Sequence, residues 1–260
     1  MKIAVCLKAV PGRDSRYRIT PQQRWIDESQ VTFEISECDE YALEEALKLK
    51  DRLGCEVTVV TAGSPQAEKA VRKALAMGAD RGLQIEDPGR LLSSPSILAS
   101  ALAQGVAPEG FDLILTGTQS DDLGYGQTGV MLAELLGVPH ATLVMEIQVD
   151  EAAGKATVLR EMESGWFQRI ELPLPAVLTV QAGTSPVRYA SLKGIMQARQ
   201  KPLRRIPLDS LSLDPASLPA IELERLYEPV SDQRAEMIPG DPETAVCVLI
   251  DRLHKETRVL

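Results

Sequence analysis

Residues 111–136 read FDLILTGTQSDDLGYGQTGVMLAELL. The opening FDLIL is a short apolar run suited to a buried strand over residues 111–115. A polar, glycine-rich loop follows over 116–126, after which Val130, Met131, Ala133 and Leu135 recur at helical spacing. A strand feeding a glycine-rich turn into a helix N-terminus is an arrangement that binds phosphate, because the first-turn N–H groups are free and the helix dipole favours an anion there. Thr118, Gln119, Ser120, Asp121, Asp122, Gln127 and Thr128 supply donors and acceptors enough for a ribose and a base. The stretch is a candidate nucleotide site; the competing reading is a plain loop-to-helix connection with glycines for its turns.

Residues 124–129, GYGQTG, literally match G-x-G-x-x-G. In the dinucleotide fold that pattern comes directly after the first strand of a βαβ unit. Here the polar stretch from Thr116 onward intervenes, the strand is not the first of the chain, and Asp121 and Asp122 would repel a pyrophosphate beside them. A dinucleotide fingerprint is therefore not expected.

The 260 residues suffice for one large α/β domain with an appendage, and a core of that size needs no disulfide or metal. A net charge of −9 argues against nucleic acid and against an anionic membrane surface as partners. No run of 18 apolar residues exists, and the N-terminal MKIAVCLKAV is expected to be the first strand rather than a signal segment. Cys6, Cys38, Cys55 and Cys247 are scattered with no C-x-x-C, and there are two histidines, so a zinc site is not expected. Buried thiols in a reducing cytoplasm are the expectation.

Around the organising stretch, apolar runs at 2–7, 56–61, 81–85 and 175–181 read as buried strands. Helices are expected over 36–53, closed by Gly54 and capped by Ser36 or Asp39, over 66–77, and over 95–104. Residues 11–35 suggest a loop and small hairpin. The period-two stretches 142–149, 156–161 and 168–172 suggest an antiparallel meander. Alternating strands and helices imply a parallel sheet whose ligands bind at the carboxyl ends of the strands, so the loops after Val5, Thr61 and Thr116 should converge on one pocket. From residue 202 the chain carries five prolines before 230 and scattered apolar residues (Leu208, Leu211, Leu213, Leu218, Ile221, Leu226), which suggests a segment that wraps a partner. A helix is expected over 242–255. The expected fold class is α/β: a Rossmann-like parallel sheet with flanking helices, an antiparallel meander and an extended C-terminal arm, divided into domains at 1–200 and 201–260.

Five stretches, KIAVCLKAVPG, DEYALEEALKLKD, KALAMGADRGLQIE, GTQSDDLGYGQTGVMLAELLGVPHAT and LPAVLTVQAGTSPVRYASLKGIMQARQKP, occur in one order over most of residues 1–205. Together they resemble the small (beta) subunit of electron-transfer flavoproteins, with RYASLKGIMQA and ALAMGADR the most specific. The resemblance implies an electron carrier rather than an enzyme with its own substrate. It implies a larger alpha subunit holding most of an FAD, a structural AMP buried in the beta subunit, and a loop offered to dehydrogenases. Electrons would pass on to a membrane-bound or soluble acceptor. Carried over by position, the AMP contacts would be Cys6, Ser36, Asp39, Ala62, Gly117, Thr118, Gln119, Ser120, Asp121, Asp122, Gln127, Thr128 and Gly129, with the phosphate at Gln127, Thr128 and Gly129. The family usually has Asn-Pro where this chain has Ser36-Glu37, so a hydroxyl stands in place of an amide. Flavin-bifurcating relatives hold a second FAD in the same pocket and usually show Val-Gly where this chain has Thr128-Gly129, which favours AMP. Partner recognition would fall to Arg188, Tyr189 and Leu192, with Leu192 an exposed anchor; without the family, 188–198 reads as an amphipathic helix on the sheet. Tyr17 or Trp25 would approach the flavin. The alternatives from other classes are a free-standing stress-type nucleotide-binding module and an NAD-dependent enzyme.

Overall fold

Strand β1 (Lys2–Cys6) alternates its side chains between two cores: Ile3 and Val5 face one, Ala4 and Cys6 the other. The same alternation runs through β4 (Glu56–Gly63), β6 (Leu113–Gly117) and β10 (Ala176–Val180). A strand apolar on both faces needs cover on both, and the helices supply it. Helices α1 (Glu37–Leu53), α2 (Glu68–Met77) and α5 (Leu192–Ala198) bury Leu43, Leu47, Leu75 and Ala198 in one core. Helices α3 (Pro95–Val106) and α4 (Thr128–Leu136) bury Ile97, Leu102, Leu132 and Ala133 in the other. In this computed structural model the described residues are 1–87, 94–183, 185–214, 221, 223–230 and 235–257.

The sheet has nine strands in the order β11-β5-β4-β1-β6-β10-β7-β8-β9, with β5 at Arg81–Glu86, β7 at His140–Asp150, β8 at Lys155–Glu161, β9 at Phe167–Pro173 and β11 at Leu203–Pro207. Pairing is parallel from β11 through β7 and antiparallel from β7 to β9. The expected meander therefore continues the parallel sheet as its edge. A separate hairpin joins β2 (Ala9–Pro11) to β3 (Phe33–Ile35), as residues 11–35 suggested. Since β1 pairs with β4 on one side and β6 on the other, the chain reverses its direction of travel across the sheet at β1. Such a reversal opens a crevice at the strands' carboxyl ends.

Two compact units are present, Met1–Glu224 and Arg225–Leu260. The boundary expected at residue 200 falls before β11, which extends the sheet alongside β5. Leu208, Leu211 and Leu213 pack on the α3-side core and are partly buried there. Leu218 lies outside the described residues. The second unit contains α6 (Pro242–Arg252), capped by Asp241, whose side chain accepts from Thr244 N–H.

Gly129 seats α4 against the sheet. A Cβ there would lie 2.6 Å from Thr179 Cγ2 and 2.7 Å from Thr116 Oγ1, both on β-branched side chains with little freedom to turn aside. Gly129→Ala is expected to cost about 1–3 kcal/mol and to lower the melting temperature by several degrees, checked by thermal denaturation followed by circular dichroism.

Candidate functional site: a cleft at the strand reversal

At the reversal a cleft of ≈ 770 Å³, open mouth included, gathers three strand ends and the first turns of three helices. Strand β1 delivers Cys6, Leu7 and Lys8, β4 delivers Ala62, and β6 delivers Thr116, Gly117, Thr118, Gln119 and Ser120. Gln127, Thr128 and Gly129 open α4, while Pro95, Leu98 and Leu102 of α3 form an apolar wall. The convergence expected of the loops after Val5, Thr61 and Thr116 is thus realised. No side chain caps α4, so its leading amides have no intrahelical or side-chain acceptor.

Asp39, in the first turn of α1, ties the cleft's floor together. Lys8 N–H donates to its Oδ2 at 2.8 Å and Gly117 N–H to its Oδ1 at 2.7 Å, so one carboxylate holds the ends of β1 and β6. Gly117 permits this: a Cβ would stand 2.5 Å from Asp39 Oδ1 and 2.7 Å from Cys38 Cβ. Burial pushes the Asp39 carboxyl up to about 7, against the downward pull of the two amides and of the Lys8 cation. Burial, with Asp39 second, pushes the Cys6 thiol up to about 12, which leaves it a packing group and not a nucleophile.

The acidic pair of the loop points elsewhere than the sequence suggested. Asp122 Oδ1 holds Lys8 Nζ at 2.7 Å, and Asp121 Oδ2 accepts from Glu37 N–H at 3.0 Å and lies 3.7 Å from Arg13. Arg13 also pairs with Glu37. Ser36 occupies the N-cap position of α1 without capping it, since its hydroxyl accepts from Asp121 N–H at 3.1 Å. Asp39 likewise turns outward from its own helix. Of the residues expected at the nucleotide, Cys6, Asp39, Ala62, Gly117, Thr118, Gln119, Ser120, Gln127, Thr128 and Gly129 line the cleft; Ser36, Asp121 and Asp122 do not. Those three position the loop. Lys8, the α3 wall and Tyr125 were not singled out from sequence; the lysine directly after a buried strand was the available signal for the first.

A neighbouring cleft is lined by Lys8, Trp25, Phe33, Ala62, Asp122 and Leu123 among others. Trp25 Nε1 donates to Glu28 at 2.8 Å, and Tyr17 donates its hydroxyl proton to Gly12 O at 2.8 Å. On the other core's side, Tyr189 and Leu192 are 97% and 83% exposed, whereas the Arg188 guanidinium is engaged by Glu44 and Asp51. Among the described residues no cluster of His, Cys, Asp and Glu could hold a metal, and no helix is long and apolar enough to cross a membrane.

Because Asp39 has its folded pKa raised to about 7 from 3.8, the folded state binds a proton that the unfolded state lacks between those values. Its contribution is then greatest at low pH and is lost as pH rises through that window. Asp39→Asn keeps one acceptor and leaves one amide unmet, at a cost of about 1–3 kcal/mol. Two results are expected: faster hydrogen exchange at the Lys8 or Gly117 amide, and a smaller fall in stability between pH 5 and pH 8 than in the wild type. Denaturant titration at the two pH values checks the second.

Comparison with known proteins bears on what this cleft serves. The model of the electron transfer flavoprotein domain matches residues 24–211. The electron transfer flavoprotein subunit beta of Methylophilus methylotrophus is 35% identical over 246 residues, covering 92% of this chain and 93% of its own. The subunit beta of Bacillus subtilis is 34% identical over 252 residues, covering 95% and 96%. The mitochondrial subunit beta of Arabidopsis thaliana is 34% identical over 261 residues, covering both chains completely. With its parallel sheet, its cleft at the strand reversal and these full-length matches, the chain belongs to the electron transfer flavoprotein family as a beta subunit, an electron-carrier subunit.

Proposed function

We propose that this chain, joined to its alpha subunit, accepts electrons from dehydrogenases through an FAD held mainly by that subunit, and that its own cleft holds AMP in a structural role. The observation carrying the second half is the uncapped N-terminus of α4 at the cleft. In this reading the Thr128 and Gly129 amides receive the phosphate, Gln119 and Ser120 the ribose, and the apolar wall of Pro95, Leu98 and Leu102 the base. Both oxygens of Asp39 are committed to the Lys8 and Gly117 amides, and Lys8 Nζ to Asp122, which supports a structural ligand. FAD supplies the redox chemistry of the heterodimer when bound. The cytoplasm is the proposed compartment, supported by the free buried thiols of Cys6, Cys38 and Cys55.

A second FAD in place of AMP needs more room than a mononucleotide, and the neighbouring cleft shares Lys8, Ala62 and Leu123 with the first. In this reading a ligand spanning both would have to pass Lys8, which lines the two clefts and is paired with Asp122. This supports the mononucleotide. Denaturing the purified heterodimer and counting nucleotides by chromatography decides: one AMP and one FAD are expected, two FAD indicate the bifurcating kind, and no nucleotide beyond a single FAD overturns the AMP reading.

Leu192 is proposed as the anchor for the dehydrogenase. The donor is obtained by purifying from cells of the source organism the enzyme that reduces the heterodimer's flavin. A leucine this exposed loses little stability on truncation, whereas a buried one costs about 2–5 kcal/mol. Leu192→Ala is expected to leave melting temperature, flavin and AMP content unchanged while lowering donor-dependent flavin reduction by about tenfold or more, as for a central contact of a small interface. A large melting drop with a normal rate would place Leu192 in the core instead.

A further inference from the structure

Tyr189, Leu192 and Met196 stand 97%, 83% and 73% exposed on a seven-residue helix and the turn before it. So short a helix does not hold itself in water. Its capping bond, Gly194 N–H to Ser191 Oγ at 3.0 Å, orders one turn only. What fixes it must come from outside the segment, and it comes at both ends. At the far end, Arg72 of α2 donates to Ala198 O at 2.8 Å, and Lys201 Nζ donates to Leu75 O and Ala79 O at 2.9 and 2.6 Å. Gly194 lies so close to the Ala76 carbonyl that no Cβ fits between them.

The near end is held by carboxylates on α1. Glu44, its side chain 5% exposed, accepts from Arg188 Nε at 2.9 Å and Nη2 at 3.0 Å, and from the Arg188 backbone N–H at 3.0 Å. Asp51 accepts from the same Nη2 at 2.9 Å. Ser185 donates to Glu45 at 3.1 Å. The fork of a guanidinium fixes both position and orientation, which an ammonium cannot do. We infer that Arg188 does not touch the dehydrogenase but is a positioning residue: clamped by Glu44, it holds Tyr189 and Leu192 in their presented conformation before any partner arrives. Docking then incurs little ordering cost. The inference rests on the docking role proposed above for Leu192.

The test uses the intact heterodimer and the purified donor, with Arg188→Lys and Glu44→Gln beside Leu192→Ala. Both clamp variants are expected to raise the KM for the donor by about tenfold, the ordering cost of a few side chains, with kcat at saturation and flavin content unchanged. Hydrogen exchange of the peptide covering 189–196 should quicken in both, and stay as in the wild type in Leu192→Ala. Arg188→Lys, which keeps the charge and loses the fork, should be milder than Arg188→Ala. If Leu192→Ala raises KM while both clamp variants leave KM and exchange unchanged, the clamp is overturned and the docking reading stands. If the clamp variants speed exchange without moving KM, the clamp is structural only and the inference fails. If Leu192→Ala itself leaves KM unchanged, the docking reading fails first.

Discussion

One carboxylate, Asp39, sets the geometry on which the cleft depends. The ladder between β1 and β6 ends at the Cys6–Thr116 pair, and beyond it, among the described residues, no backbone pairing holds the two exits together. Asp39 accepts an amide from the end of β1 and another from the end of β6, and so fixes the two edges of the crevice at one point. The arrangement demands glycine at 117, since any side chain would occupy the space of the carboxylate. It also demands that a charged group be buried, which is why the carboxyl's proton affinity rises so far. Two amides and the Lys8 cation only partly offset that burial.

The loop between β6 and α4 depends in turn on this floor. Asp121 and Asp122 would be hostile to a phosphate if they faced it. They are drawn outward, Asp121 to the Glu37 amide and Arg13, Asp122 to Lys8, so their charge is spent on holding the loop. The positive end of α4 is then left as the dominant polarity on that side of the cleft. Gly124 and Gly126 adopt φ of 61° and 64°, which lets the loop turn back twice without strain and bring Gln127 to the mouth.

What the sequence made legible follows from periodicity. Buried strands apolar on both faces and helices ending at Gly54 and Gly78 are local patterns, and each lies where its pattern placed it. Side-chain partnership across the fold is not local. Ser36 and Asp39 look like caps for α1 because both are good caps, but each accepts instead from amides distant in sequence, Ser36 from Asp121 and Asp39 from Lys8 and Gly117. Glu44 and Glu45 look like a solvated face; no helical pattern reveals an arginine from residue 188. Leu143, at φ 57°, sits where β7 shifts register against β10, and nothing about a leucine announces a left-handed residue in a strand. Strand β11 hides among prolines because it is an edge strand, where proline at either end is tolerated.

Helix α1 serves both ends of the proposed function. Asp39 in its first turn holds the cleft, and Glu44, Glu45 and Asp51 along the same helix hold the segment that exposes Leu192. At 1.5 Å per residue, Asp39 and Asp51 are about 18 Å apart along the axis. Between them Leu43, Ala46 and Leu47 are completely or almost completely buried against the sheet, so the helix does not shift as a unit without opening that core. A carrier that must meet a partner briefly and release it gains from such a strut. The exposed contact area can stay small because its geometry is fixed beforehand, and a small contact area is what permits fast release.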